Sequence, residues 1–354
     1  MSTTQRFLLS RTDRLGDLVL STPAATALKK EFPEAEVFFL ARDYAAEILD
    51  LHPHVDGVLR VDSLGEAMRA KPLAKLLRSY DFDAVLALYP RPELAWAFYR
   101  AGIPLRIGTG YRWFSGLFNQ RVYEHRKDAR RHEAEYNLQL LRPLGIADAR
   151  VEFHYRFDAL HELALAEKMS QWHLAEPYVV LHPGSGSSAR DWPLEHFAVL
   201  AAYLSLERKL QVVLTGATNE KALTEFMQTQ TAGSAIDLAG RLNLTELAGV
   251  LRHAALFVGN SSGPLHIARM MATPVLAFYP PITACRPERW GPYSCRQDVL
   301  MSREEECRRC RNKQTRVCAC MRDITVAAAI AKAEEKLFTP ALQHSLMNVA
   351  NERS

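Results

Sequence analysis

Short apolar runs with almost no polar interruption alternate with segments of helical spacing along most of the chain. The runs fall at 6–10, 36–40, 57–61 and 84–88 in the first half, and at 178–182, 211–215, 235–239, 256–259 and 274–278 in the second. A strand with one wet face alternates apolar and polar positions. Unbroken runs such as Tyr178-Val-Val-Leu-His182 instead predict strands covered on both faces, as in parallel sheets. The spacing predicts helices between them, at 18–32 around Pro23, 44–51 and 72–79, then at 159–172, 194–206, 220–228, 245–253, 265–271 and 324–337. The pattern breaks near 157–160. It predicts an α/β chain of two doubly wound, Rossmann-like domains, 1–158 and 159–337, facing each other across a cleft lined by the carboxyl ends of their strands. The last helix and residues 338–354 are candidates to pack back on the first domain.

With 354 residues, 48% of them hydrophobic, the chain can bury two cores. A net charge of +4 is too mild to point to nucleic acid. The basic residues are uneven, however. Between 91 and 142, Arg100, Arg106, Arg112, Arg121, Arg126, Lys127, Arg130 and Arg131 interleave with Trp96, Tyr99, Tyr111, Trp113, Phe114 and Phe118. That mixture suits an anionic, amphipathic partner, and equally a solvated helical face over ordinary core aromatics. There is no secretory leader pattern and no apolar run near the roughly 20 residues of a membrane span. A cytoplasmic protein is expected, with at most peripheral contact at the inner membrane.

Two turns carry candidate chemistry. In Phe257-Val-Gly-Asn-Ser-Ser-Gly-Pro-Leu-His266, a strand runs through a small-residue turn into a helix. Gly263 permits close approach of the backbone to a ligand, and the unpaired amides of the helix start favour an anion. Upstream, His182-Pro-Gly-Ser-Gly-Ser leads through Arg190-Asp-Trp-Pro193 into another helix, so Ser185, Gly186 and Ser187 repeat the device. Two such turns, with Ser262 and Gly263 on the second, suit a diphosphate. His266 begins the helix beneath it and is equally readable as structural. Trp192 and Pro193 read as packing. Late in the chain, Cys307-Arg-Arg-Cys310 and Cys318-Ala-Cys320 place four sulfurs in a short segment. A structural metal, a redox-labile pairing and unligated thiols are all compatible with that spacing.

Taken together, Arg11-Thr-Asp-Arg-Leu-Gly-Asp17, His182-Pro-Gly-Ser-Gly, Arg190-Asp-Trp-Pro193, Thr215-Gly-Ala-Thr-Asn-Glu220 and Asn260-Ser-Ser-Gly-Pro-Leu-His266 resemble the family 9 glycosyltransferases, known for ADP-heptose:lipopolysaccharide heptosyltransferases. The resemblance implies a GT-B fold and an inverting transfer of a heptose or a related sugar from a nucleotide diphosphate donor, with ADP-heptose the expected one, to the lipopolysaccharide inner core. It implies no metal in catalysis. Asp17 matches the family's catalytic base, although an aspartate at a helix start also reads as a cap. A helix N-terminus would lower its pKa and make it a weak base. Arg190 stands where the family commonly has lysine and is the expected countercharge for the leaving diphosphate. Glu220 matches the residue reaching the ribose hydroxyls, and Leu242 falls where the backbone reads adenine. Ser261 departs from the usual aspartate expected to hold sugar hydroxyls. Arg106, Arg112 and Arg121, with Arg14, resemble the basic residues that bind the anionic acceptor. The rival reading is a non-catalytic nucleotide-sugar-binding or lipopolysaccharide-assembly scaffold of the same fold.

Overall fold

A computed structural model of the chain describes residues 4–62, 70–303, 307 and 318–338. The chain divides into two compact units between Asp158 and Ala159. In the first, β1 (Arg6–Ser10), β2 (Glu36–Ala41), β3 (Gly57–Arg60), β4 (Ala84–Ala87), β5 (Leu105–Thr109) and β6 (Gln120–Val122) form a parallel sheet of order β3-β2-β1-β4-β5-β6. In the second, β7 (Tyr178–His182), β8 (Gln211–Leu214), β9 (Ile236–Asp237), β10 (Leu256–Asn260), β11 (Val275–Tyr279) and β12 (Val299–Met301) form another, of order β12-β11-β10-β7-β8-β9. Counted from its own first strand, each unit has the same order, 3-2-1-4-5-6. The first strand pairs with the second on one side and the fourth on the other. Their outgoing connections diverge there, and a crevice is left beyond the carboxyl ends of that central pair.

Every residue of β7, β10 and β11 is buried, which is why their sequences show no polar alternation. Strands β5, β6 and β12 were not expected from the apolar pattern. Their residues are partly exposed and include Arg106, Gln120 and Arg121, so they lack the run that marks a central strand. The single helix expected at 18–32 is two, Leu15–Val19 and Thr22–Glu31. Pro23 has no N–H to donate, and its ring would clash with the carbonyl of Val19 in a continuous helix. Side chains take over at the break: Ser21 Oγ donates to Asp17 O at 2.8 Å and Thr22 Oγ1 to Val19 O at 2.9 Å.

The last described helix, Val326–Phe338, packs in the core of the second unit. It buries Ala329, Ala333 and Leu337 among Val179, Leu200, Leu204 and Phe278 of the second. Residues 339–354 lie outside the described residues. Among the described residues, no helix is long and apolar enough to cross a membrane. Trp192 is 1% exposed, as a packing residue should be. Its ring stacks on Phe278 with centroids 4.0 Å apart, and its Nε1 donates to Ile324 O at 2.8 Å. Trp192→Ala is expected to destabilise the second unit by about 3–5 kcal/mol, seen as an earlier unfolding transition in urea.

Candidate active site

Asp17 follows β1, at the crevice of the first sheet, in the first turn of Leu15–Val19. It does not cap that helix. Arg14 is the N-cap residue, and the carboxylate of Asp17 turns instead to Arg11, whose Nη2 donates to Asp17 Oδ1. Arg11 is itself 3% exposed and is held on all sides. Its Nε donates to Asp13 Oδ1 at 2.8 Å, and its Nη1 to Glu133 Oε1 at 3.1 Å and Asn137 Oδ1 at 3.3 Å. Glu133 also receives Arg126 Nη1 at 2.5 Å. Burial works against the Arg11 charge, but Asp13, Asp17 and Glu133 outweigh it, and the guanidinium stays a cation.

Three carboxylates therefore share two guanidinium groups. The Asp17 carboxyl is pushed up to about 6, first by burial, with Arg11 opposing and Asp13 and Glu133 adding to the rise. The low value expected from a helix start is not what the structure gives. A five-residue helix has a weak dipole, and loss of water around the carboxylate dominates. At pH 7 such a group is ionised in roughly nine molecules in ten, and it is a stronger base than an exposed aspartate.

The second site lies at the corresponding place in the other sheet. After β7 the chain turns through Pro183-Gly-Ser-Gly-Ser-Ser, with Gly186 at φ 54° and Ser187 at φ 64°. After β10 it turns through Ser261 and Ser262 into the helix Gly263–Met270. Two fully engaged polar side chains tie these turns together. Buried Asn260 donates Nδ2 to Pro183 O at 2.7 Å and accepts Trp192 N at Oδ1 at 2.8 Å. Ser188 Oγ lies 2.6 Å from both Ser185 O and Ser261 O. In contrast, the Ser185 and Ser262 hydroxyls are buried with no hydrogen-bond partner among the described residues. Ser262 is the N-cap residue of its helix, yet its hydroxyl makes no capping bond. One buried hydroxyl on each turn is thus left for something else to satisfy.

Glu220 braces the first of these turns. Its Oε1 accepts Gly186 N at 3.3 Å and its Oε2 accepts Ala217 N at 2.9 Å. Gly184 leaves room for that carboxylate, since a Cβ there would stand 2.0 Å from Glu220 Oε1 and push the side chain aside. His182, at the end of β7, bonds Thr215 Oγ1 through Nδ1 at 3.0 Å. Burial lowers its pKa, with Glu220 opposing, so the imidazole is neutral. Leu242 is half-buried past the carboxyl end of β9, Arg190 is half-buried in the loop leading to Leu194–Ala202, and His266 is buried in the first turn of its helix. The Tyr279 phenol, near Ser261, donates to Trp290 O at 2.5 Å.

The expected acceptor arginines are not together. Arg106 turns away from the Asp17 end of its sheet: Nε donates to Leu117 O at 2.9 Å and Nη1 to Ile103 O, both before the strands they precede. Its role is to hold that edge of the fold. Arg121 Nε likewise donates to Phe118 O at 3.3 Å. Arg112, beyond the carboxyl end of β5, and Arg14, in the Asp17 loop, are exposed. Cys307, Cys318 and Cys320 are buried in the second unit with their sulfurs within 4.8 Å of one another; Cys310 lies outside the described residues. Sequence reasoning missed Arg11, Glu133, Asn137 and Asn260 as site residues. The one visible signal was an arginine directly after a buried strand, a place where a charge must have partners.

Two doubly wound units, each with polar residues gathered at the switch point of its sheet, are the GT-B architecture of glycosyltransferases. The chain belongs to glycosyltransferase family 9 (heptosyltransferase), whose model matches residues 70–320. It is 26% identical over 318 residues to a putative glycosyltransferase of Haemophilus influenzae, covering 81% of this chain and 86% of that one. It is 25% identical over 273 residues to lipopolysaccharide heptosyltransferase 3 of Escherichia coli K12, covering 75% and 79%. Among solved structures, the ADP-heptose LPS heptosyltransferase II of E. coli superposes with a TM-score of 0.77 at 21% identity, covering 97% of this chain and 100% of that one. The chain is an enzyme of heptosyltransferase type.

Asn260→Ala leaves Pro183 O and Trp192 N buried without their partner. It is expected to cost roughly 2 kcal/mol in urea unfolding, whereas Arg14→Ala, on an exposed side chain, should leave the transition in place.

Proposed function

We propose that the chain transfers a heptose from ADP-heptose to the lipopolysaccharide inner core, with inversion and without a metal at the reacting diphosphate. The observation that carries this reading is the pair of partnerless buried hydroxyls, Ser185 and Ser262, on two clamped turns at one switch point. Phosphate oxygens satisfy such donors, and the backbone amides of Ser187 and Gly263 add further donors on the same two turns, with the Gly186 amide held by Glu220. Arg190 supplies countercharge to the departing diphosphate. Glu220 has lone pairs beyond those taken by its two amides, and these suit ribose hydroxyls. Leu242 offers its backbone to adenine, and His266 supports the second turn. Ser261 offers a hydroxyl, a weaker sugar contact than the aspartate usual in the family.

In the transfer, the acceptor oxygen attacks the anomeric carbon as the bond to the diphosphate breaks. The acceptor proton passes to Asp17, and ADP leaves. Arg14 and Arg112 are the exposed cations for the anionic acceptor. Arg112 has Trp113, 81% exposed, beside it, a pairing that supports peripheral contact with the anionic inner-membrane surface. The scaffold alternative is not favoured, since it leaves the buried, near-neutral base without a task.

The buried cysteines support a structural metal away from this chemistry. Cys307 Sγ and Cys318 Sγ are 3.6 Å apart. Tetrahedral zinc with Zn–S of about 2.3 Å has sulfur-sulfur edges of about 3.8 Å. Metal analysis of purified protein is expected to find a thiophilic cation that Cys318→Ser releases. Metal-free protein with three titratable buried thiols would refute it.

Asp17→Asn is expected to lower turnover by about 10²- to 10⁴-fold with ADP affinity unchanged in calorimetry. In the unaltered enzyme, kcat/KM should fall tenfold per pH unit below about pH 6, where Asp17 gains its proton. Preference for UDP, GDP or dTDP over ADP would overturn the donor, and full activity of Asp17→Asn would overturn the base.

A further inference from the structure

The base in the proposed transfer is held from a distance. Asp17 is faced by Arg11 and Asp13 from its own loop, by Glu133 from the helix Glu133–Leu138, and by the Tyr44 phenol from the helix Asp43–Ala46. Tyr44 Oη itself donates to Asp13 O at 3.1 Å. We propose that Glu133 and Arg126 are positioning residues for Asp17: they fix the Arg11 guanidinium against its Oδ1 and leave Oδ2 as the oxygen that receives the acceptor proton. The inference rests on Asp17 being the base of the proposed reaction.

The geometry has two strands of support. The first runs through side chains. Arg126 Nη1 reaches Glu133 Oε1 at 2.5 Å, the same oxygen accepts Arg11 Nη1 at 3.1 Å, and Arg11 continues to Asp17. Glu133 is 1% exposed, so water and ions do little to screen its own charge. The second runs through the backbone of the element that bears Asp17. Asn137, one turn after Glu133, accepts from both Arg11 Nη1 and Arg126 Nη1 at 3.3 and 3.1 Å. Its Nδ2 donates to Leu20 O at 3.0 Å and to Ser21 Oγ at 3.1 Å. Ser21 Oγ in turn donates to Asp17 O. One helix face therefore grips both the partner of the carboxylate and the chain on which the carboxylate stands. A fold brace needs only one of these. Together they fix a carboxylate in two places, as a base aimed at a single proton requires.

The arrangement makes two variants move the base in opposite directions. Glu133→Gln keeps the shape and an accepting oxygen but removes a negative charge facing Asp17. Arg126→Gln removes the positive charge that balances Glu133. The acid limb of kcat/KM is expected to fall by about one pH unit in Glu133→Gln and to rise in Arg126→Gln. A residue that only supports the fold would lower stability or turnover without moving the limb.

The same shifts are read without activity from the carboxyl ¹³C titration of Asp17, assigned by its loss in Asp17→Asn. Arg126 is the more exposed partner, so an upward shift in that variant decides the matter even where Glu133→Gln fails to fold. Opposed shifts in the titration support the inference. A titration unmoved in both folded variants, or in Arg126→Gln alone where that is the only folded one, overturns it. Opposed shifts in the variants together with no heptosyl transfer by the unaltered protein would instead overturn the assignment of function and leave the positioning intact.

Discussion

An open parallel sheet has one place that its own side chains do not fill, where the strand order reverses and the connections leave for opposite faces. Both sheets here reverse between the first and fourth strands of their unit, at β1 and β4 and at β7 and β10. What occupies each gap decides what each unit does. In the first unit it is a knot of ions around Arg11. In the second it is a set of amides and hydroxyls held by Asn260 and Ser188.

The two solutions are chemically opposite, and the difference matches the tasks proposed for them. A group that takes a proton has to change charge, so it needs neighbours whose fields hold its affinity near neutrality. Buried carboxylates and guanidinium groups supply such fields in a way that neutral dipoles do not. A cradle for a permanently charged diphosphate has no titration to tune. It needs donors fixed in place, and backbone amides with short hydroxyl side chains provide them without the cost of burying further charge. The neutral His182 under the first turn fits that scheme, since its imidazole takes part as a hydrogen-bonding group.

The central strands were legible because burial on both faces writes itself into composition. β1 and β7 are found at the residues their apolar runs mark. The strands toward one margin of each sheet, β5, β6 and β12, were not, because a sheet margin tolerates arginine and glutamine, and pairing rather than hydrophobicity makes them strands. The glycine turns were legible too, since small residues between strand and helix have few other uses. The network around Asp17 was hidden. Arg11 and Glu133 are 122 positions apart, and each alone is an ordinary charged residue. Position along the chain misled where Asp17 was concerned. A helix start favours the ionised form, but burial beside two further carboxylates does the opposite, and only the fold brings them there.

Gly184 and Glu220 illustrate a different kind of constraint. With 2.0 Å between a Cβ at 184 and the Glu220 carboxylate, any side chain at 184 would displace that carboxylate although the two belong to separate loops. A side chain at 184 would turn Glu220 away from the amides of Gly186 and Ala217, and a shorter residue at 220 would abandon them outright. The two positions work as one lock, in which the missing side chain of one is what lets the other reach the backbone.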